Sequence, residues 1–308
     1  MAKTTAIAWT RSTFNPWVGC TKVGPGCDNC YAEAVNLRWR AGENWGPGAP
    51  RARTGEKNWQ TPKNWNAQAA IEHRAGIEWA AGQAPGFWPV FCASHADVFD
   101  NEVDPAWRAD LWRVIRETPN LTWQLVTKRA PNIAGMLPPD WGAGYPNVWL
   151  LATIVDQREA DRDLPKLLRI PAALHGVSYE PALGPVEWLP FLPFDNAVGR
   201  SEVGPHGLRW IITGGESQQR GQARDFDLQW GRDAAAACAG ADVAHFMKQV
   251  GSHPYQVRTE GEGRPSEHKP FYIEQRKGDD PAEFPLDLRQ RQFPGDGGTL
   301  KPLRLVIA

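Results

Sequence analysis

Apolar residues in this 308-residue chain gather in short runs, each ending in a polar cluster. The runs are AIAWT (6–10), WPVFCAS (88–94), LTWQLVT (121–127), NVWLLATIV (147–155), AALHGVSYE (172–180), LRWIITGGE (208–216) and VAHFMKQ (243–249). They are near-continuously apolar, as expected of parallel strands covered on both faces. Helical patterns lie between them. Asp104 and Pro105 form an N-cap with proline at the first helical position, and Trp107, Leu111, Val114 and Ile115 follow as one apolar stripe. Residues 158–169 and 225–239 read as further helices. Strand and helix alternating this often imply βα units with right-handed crossovers. The expected fold class is α/β, a complete or partial (β/α) barrel, with a doubly wound open sheet as the alternative.

Two stretches leave this rhythm. Residues 42–87 are rich in Gly, Trp, Asn and Arg, with one helical piece expected at 65–81; they read as an insertion over the active face. Residues 252–298 are rich in Pro, Gly and charge, and read as an irregular surface tail. The expected organisation is a barrel over 1–251, carrying the 42–87 insertion, and a C-terminal extension over 252–308 packed on it. A formal net charge of −1 argues against a generally basic, nucleic-acid-coating protein but leaves room for a local basic patch. In the insertion, Arg51, Arg53, Lys57 and Lys63 lie among Trp45, Trp59 and Trp65; they could grip a single strand by charge and stacking, or form a solvated loop. No apolar run approaches the ~20 residues of a membrane span, and the start of the chain lacks a signal-like apolar segment. With an odd count of five cysteines, the expectation is a cytoplasmic protein with reduced thiols.

Three cysteines stand close together. Cys20, Cys27 and Cys30 form C-x6-C-x2-C in the loop between the first strand and the first helix, the end of a barrel where active sites are built. Gly19, Gly24 and Gly26 are expected to take positive φ and curl the loop. Cys30 falls at the start of a helix, where the dipole favours thiolate. Gathered thiolates bind metal. Structural zinc takes four protein ligands, and the next histidine in the chain after the loop is His73. Three thiolates on a four-iron cluster would leave one iron open for a substrate or cofactor. Zinc completed by a distant residue and unliganded thiols remain alternatives. Cys92 and Cys238, inside apolar segments, read as small buried hydrophobes.

The blocks WTRSTFNPWVGCTKVGPGCDNCYAE, FCASHADVFD, QLVTKR, VWLLATIVDQ, VSYEPALGPV, WIITGGES, HFMKQVG and FPLDLRQRQFP occur in that order between Ile7 and Pro294. With them the chain resembles the phage-associated three-cysteine-motif proteins, which are radical-SAM-like. The resemblance implies a partial TIM-like barrel with a [4Fe-4S] cluster on Cys20, Cys27 and Cys30. It further implies S-adenosylmethionine on the open iron, cleaved by a flavodoxin- or ferredoxin-like reductant to a 5′-deoxyadenosyl radical that abstracts a substrate hydrogen. The phage setting suggests a modified nucleotide or DNA base as substrate, with isomerisation of an amino-acid-like group on that base as one fitting reaction. The chain departs from the common C-x3-C-x2-C pattern: its first gap is six residues, and Asn29 stands where an aromatic residue precedes the last cysteine.

By the same resemblance the polar residues at strand ends acquire roles. Ser94, Thr153, Asp156, Ser178 and Glu180 would hold S-adenosylmethionine, with Gly214 and Gly215 allowing close approach to a ligand. From their charge, Lys128–Arg129 and Lys248 could meet a phosphate or carboxylate and Asp97 and Glu216 could hold an amine or hydroxyl, so Lys128, Asp97 and Glu216 are the candidate catalytic residues. His95 and His245 read as structural histidines ahead of proton carriers. The alternative to an enzyme is a zinc- or cluster-stabilised protein that binds nucleic acid or another protein without SAM chemistry; an iron–sulfur electron carrier ranks behind both.

Overall fold

The computed structural model describes residues 5–80, 82–193, 207–218, 223–258 and 267–295. Among these, the strands are β1 (Ser12–Thr13), β2 (Trp17–Val18), β3 (Ala52–Arg53), β4 (Pro89–Cys92), β5 (Thr122–Thr127), β6 (Val148–Thr153), β7 (Leu174–Tyr179), β8 (Trp210–Gly214), β9 (Phe226–Asp227), β10 (Ala244–Gln249), β11 (Pro254–Arg258) and β12 (Glu267–Pro270). The helices are α1 (Tyr31–Arg40), α2 (Glu56–Arg74), α3 (Pro105–Arg116), α4 (Ile133–Met136), α5 (Gln157–Leu168) and α6 (Leu228–Gly240). Seven strands form one parallel sheet in the order β1-β4-β5-β6-β7-β8-β10. Because this order follows the chain, right-handed crossovers place every covering helix on the same side, and the sheet curls into an open barrel rather than a doubly wound layer. The α/β partial barrel expected from the apolar runs is the fold.

Strand parity sorts the core into two layers. Val148, Leu150 and Ala152 face outward, in one cluster with Leu111, Ile115, Leu164 and Leu167 of the helices. Trp149 and Leu151 face inward, in a second cluster with Trp9, Trp210, Ile212, Phe246 and Phe293. The barrel interior is therefore plugged by aromatic rings at its base, and the next inward positions along the strands are free to line a pocket above.

Six of the seven apolar runs form strands, but residues 6–10 do not; the first strand is Ser12–Thr13. Trp9 instead plugs the barrel, with ring centroids 4.9 Å from Phe91 and 6.2 Å from Trp210. An apolar run that fills a barrel floor looks the same in sequence as one that forms a strand. The helix expected at 65–81 is α2, over Glu56–Arg74. It buries Trp59, Trp65 and Ala69 in the outer core and is followed by Gly76 at φ +67. Near the C-terminus, Met247 donates its backbone N–H to Gln290 O at 2.7 Å and Gln292 to His245 O at 2.9 Å. This segment pairs antiparallel to β10 and covers its open edge. The stretch expected to be an irregular tail is partly regular, with β11 paired antiparallel to β12 and parallel to β9; 259–266 and 296–308 lie outside the described residues. Among the described residues no helix is long and apolar enough to cross a membrane.

His245 lies in the sheet with Nε2 3.0 Å from Thr213 Oγ1 and Nδ1 without a partner. Burial lowers its pKa to about 4, which fits a structural histidine. Between the ordinary value of 6.5 and about 4, the unfolded chain takes up a proton that the folded chain refuses. Stability is therefore complete above that window and falls as pH drops through it, by roughly 3 kcal/mol at the acid end. Urea titrations at pH 7 and pH 4.5 should show a smaller pH-dependent loss in His245→Asn than in the wild type; equal losses would assign the acid sensitivity to other groups.

Candidate functional site

The cysteine loop follows β2 and runs across the open end of the barrel. Gly19 has φ +111, and a Cβ there would meet Asn44 O at 2.4 Å. Cys20 is held by a ladder contact with Trp45, its carbonyl accepting from Gly46 N at 2.9 Å. A 3-10 turn, Pro25–Cys27, follows, and Cys30 is the N-cap of α1 rather than a residue within its first turn. Positive φ is confined to Gly19 among the three loop glycines that were expected to take it. Gly24 and Gly26 are small for another reason: a Cβ at Gly24 would meet Glu159 Oε1 at 2.8 Å, and one at Gly26 would meet Val155 Cγ1 at 2.8 Å. The loop lies flat on the β6–α5 turn, and only glycine lets it approach so closely.

Cys20, Cys27 and Cys30 line a single pocket of about 430 Å³. Their sulfurs are not drawn together: among the described residues no three Cys, His, Asp or Glu side chains converge as a metal-holding group. Burial, with Asp97 nearby, pushes the Cys20 thiol up to about 11, against the pull of Arg129. Coordination would have to take that proton. The donor set fits a thiolate-bound cluster: three sulfurs from one loop face one pocket, and its lining includes neither a histidine nor a fourth cysteine. Cys92 and Cys238 are fully buried in the outer core.

The strand ends supply the rest of the lining. Lys128, Thr153 and Lys248 each lie two residues beyond inward-facing Val126, Leu151 and Phe246, and Ser178 lies two beyond Gly176. A register shift in β10 between Met247 and Gln249 brings Lys248 and Gln249 to the pocket together. Lys128 Nζ lies 3.5 Å from Thr153 Oγ1. Ser178 Oγ donates to Glu180 Oε2 at 3.3 Å, and Lys248 Nζ is 2.7 Å from Glu180 Oε1. Gln249 donates its amide to Gly215 O and Ser217 Oγ, leaving Oε1 buried without a partner.

Other expected residues are occupied by the protein itself. The Asp97 carboxylate accepts from Thr127 Oγ1, Phe99 N, Lys128 N and Arg129 Nη1. Asp156 caps α5 by accepting from Glu159 N at 2.9 Å and is not part of the pocket lining. Ser94 Oγ is paired with Asn15, and its carbonyl accepts from Tyr31 OH at 2.5 Å. Gly214 packs under Glu180, where a Cβ would meet Oε1 at 2.7 Å; a Cβ at Gly215 would meet Val250 O at 2.4 Å. Gly215 and Glu216 line the pocket, though Glu216 is ion-paired with Arg224. His95, beside the loop, has a pKa lowered by burial.

Residues 4–277 match the family described as "Protein of unknown function (DUF5131)". The chain belongs to this family. No curated protein matches the DUF5131 chain in sequence. Among solved structures it is similar to a cysteine-to-serine mutant of spore photoproduct lyase, at 11% identity and a TM-score of 0.40, over 87% of this chain and 71% of that one. It is also similar to a double mutant of that lyase with bound AdoMet and dinucleoside spore photoproduct, at 10% identity and a TM-score of 0.38, over 84% and 68%.

Arg129, expected with Lys128 to meet a phosphate or carboxylate, instead places Nη1 3.4 Å from Cys20 Sγ in the DUF5131 site. Gln249, Asn15 and Arg224 are single polar residues with no spacing that marks them. Of the 42–87 stretch, Trp45 lines the pocket. Arg51 is buried on Asp100 at 2.8 Å, the half-buried Arg53 pairs with Asp110 at 2.9 Å, and Trp59 and Trp65 belong to the core. Arg51, Trp59 and Trp65 are therefore buried away from any strand, while Lys57 and Lys63 are exposed, Lys63 beside Glu117 at 2.8 Å.

Proposed function

We propose that this chain is a radical SAM enzyme, with a barrel over 1–251 and an extension over 252–308. One observation carries the reading: three cysteines of one βα loop line the same pocket as the inward polar residues at the ends of four strands of the sheet, β5, β6, β7 and β10. When bound, a [4Fe-4S] cluster and S-adenosylmethionine supply one-electron chemistry able to remove an unactivated hydrogen. Cys20, Cys27 and Cys30 hold the cluster. Lys128, whose stem packs beside Gly26 of the cysteine loop, offers a cation to a carboxylate. Thr153 and Ser178 offer hydroxyls. Glu180, oriented by Lys248, and the unpartnered Gln249 Oε1 accept from an ammonium or a ring N–H. Trp9, Phe91 and Val126 close the pocket from below and keep water from the reacting end. The finer reading is an amino-acid-like group on a DNA base, isomerised after hydrogen abstraction in the host cytoplasm, with a flavodoxin- or ferredoxin-like donor. Lys128 and the Lys248–Glu180 pair in the same pocket suit such a zwitterionic group.

The test is anaerobic reconstitution with iron and sulfide, followed by S-adenosylmethionine and dithionite. The expected result is 5′-deoxyadenosine in the product, or, if cleavage waits for substrate, a changed electron paramagnetic resonance spectrum of the reduced cluster on adding S-adenosylmethionine. Zinc without iron or sulfide would overturn the reading and favour the binding protein.

A further inference from the structure

Two anchors hold the cysteine loop, and they belong to different sides of the barrel. Cys20 is tied to the β4–β5 side, by the backbone contact of Gly19 N with His95 O at 3.1 Å and by Arg129 at its sulfur. The Cys27–Cys30 turn is tied to the end of β8. Asn29 Nδ2 donates to Glu216 Oε2 at 2.8 Å. Arg224 donates to the same carboxylate three times: Nη2 to Oε1 at 2.6 Å, and Nε and its backbone N–H to Oε2, both at 3.0 Å. Arg224 Nη1 then reaches back to Asp28 Oδ2 at 3.2 Å. The contacts close a ring: Asp28 and Asn29 on the turn, Glu216 on the strand end, and Arg224 between them.

Four donors on one carboxylate fill its ordinary accepting capacity. Burial works to raise the Glu216 carboxyl, but the Arg224 and Asn29 donors outweigh it and hold it below its usual range. An ionised, fully bonded carboxylate at 7% exposure is matched to this role and has no free lone pair for a ligand. Asn29 also acquires a reason for standing where an aromatic residue is common: its amide is the turn's link to β8.

We propose that Glu216 and Arg224 are positioning residues that latch the Cys27–Cys30 turn to the end of β8, so that two thiolates are presented across the pocket from Cys20. The proposal rests on the three-cysteine ligand set of the enzyme reading, and the latch is tested apart from it. In the metal-free, reduced chain, alkylation by iodoacetamide is followed at each cysteine by mass spectrometry. Arg224→Ala should speed modification of Cys27 and Cys30 about tenfold, equivalent to roughly 1.4 kcal/mol of lost order, and leave Cys20 at its wild-type rate. Arg224→Lys, which keeps a charge but not the fork, should fall between. Asn29→Ala combined with Glu216→Gln should fall short of the sum of the two single effects, because the Asn29–Glu216 contact is common to both. In reconstituted protein the same variants should lose iron to a chelator faster by a similar factor, measured well below the thermal midpoint of each variant. Unchanged alkylation at Cys27 and Cys30, or an equal rise at all three cysteines, would overturn the latch. If the wild type takes up no iron and sulfide while the selective alkylation holds, the latch stands and the enzyme reading falls.

Discussion

Cys30→Ala, reconstituted with iron and sulfide, is expected to keep less than about a tenth of the wild-type cluster and to release no 5′-deoxyadenosine above background. Iron–sulfur clusters are held by cysteine thiolates, and with one removed the pocket lining holds no other cysteine and no histidine to replace it. Of the acids that line the pocket, Asp97 and Glu216 are saturated by Thr127, Arg129, Asn29 and Arg224, and Glu180 is paired with Lys248. The fold should survive the change. Cys30 is the N-cap of α1 but makes no side-chain capping bond, so alanine removes a sulfur without breaking a cap. The informative contrast is Cys92→Ser, which places a hydroxyl in a fully buried strand position. That variant should lower the thermal midpoint and leave iron per folded chain unchanged. Iron and sulfide contents, circular dichroism and product chromatography on the same samples separate the two. Wild-type iron content in Cys30→Ala would remove this cysteine from the ligand set.

Arg129→Met is expected to destabilise the chain by about 3–5 kcal/mol, the range for breaking a buried ion pair from one side. Arg129 lies 3.1 Å from Asp97 and 3.7 Å from Asp100, with all three side chains at most 7% exposed. Its Nη2 also donates to Thr21 O at 2.7 Å, beside Cys20. Without the guanidinium, Asp97 loses its 3.1 Å ion pair, and Asp100 is left with Arg51, which also engages Glu102. Urea denaturation at neutral pH measures the loss. The milder Arg129→Lys keeps a charge but not the fork that spans Asp97, Thr21 and Cys20 Sγ. In that variant, a redox titration should find the cluster potential lower than in the wild type, since hydrogen bonds to the ligating sulfurs favour the reduced state. A potential that stays put while stability falls would confine Arg129 to the fold.

Strand parity, caps and thiol spacing are local properties, and they were legible. Asp104 and Pro105 start α3 as the sequence indicates, with the carboxylate accepting from Ala106 N at 2.8 Å. Six apolar runs are strands, because a run covered on both faces reads the same wherever it sits in the sheet. The cysteine spacing likewise gathers three thiols in one loop, and all three line one pocket. Residues 6–10 show the limit: their apolar character reports burial, and burial as a barrel plug is indistinguishable from burial as a strand until the other strands are in place. Gly24 and Gly26 show it again. The sequence marks a glycine need there, yet the cause is Glu159 and Val155, more than a hundred residues away, and not backbone torsion.

The composition of the site divides in the same way. A thiol, a hydroxyl after an apolar run or a lysine at a strand end can be picked out from one segment, which is why Cys20, Cys27, Cys30, Lys128, Thr153, Ser178 and Glu180 were visible and do line one pocket. Whether a carboxylate in that pocket is free depends on donors arriving from elsewhere. Asp97 is taken by β5 and Arg129, and Glu216 by Asn29, 187 positions away, and by Arg224. A side chain's type is written at its own position, but its remaining hydrogen-bonding capacity is a property of every neighbour the folded chain brings to it.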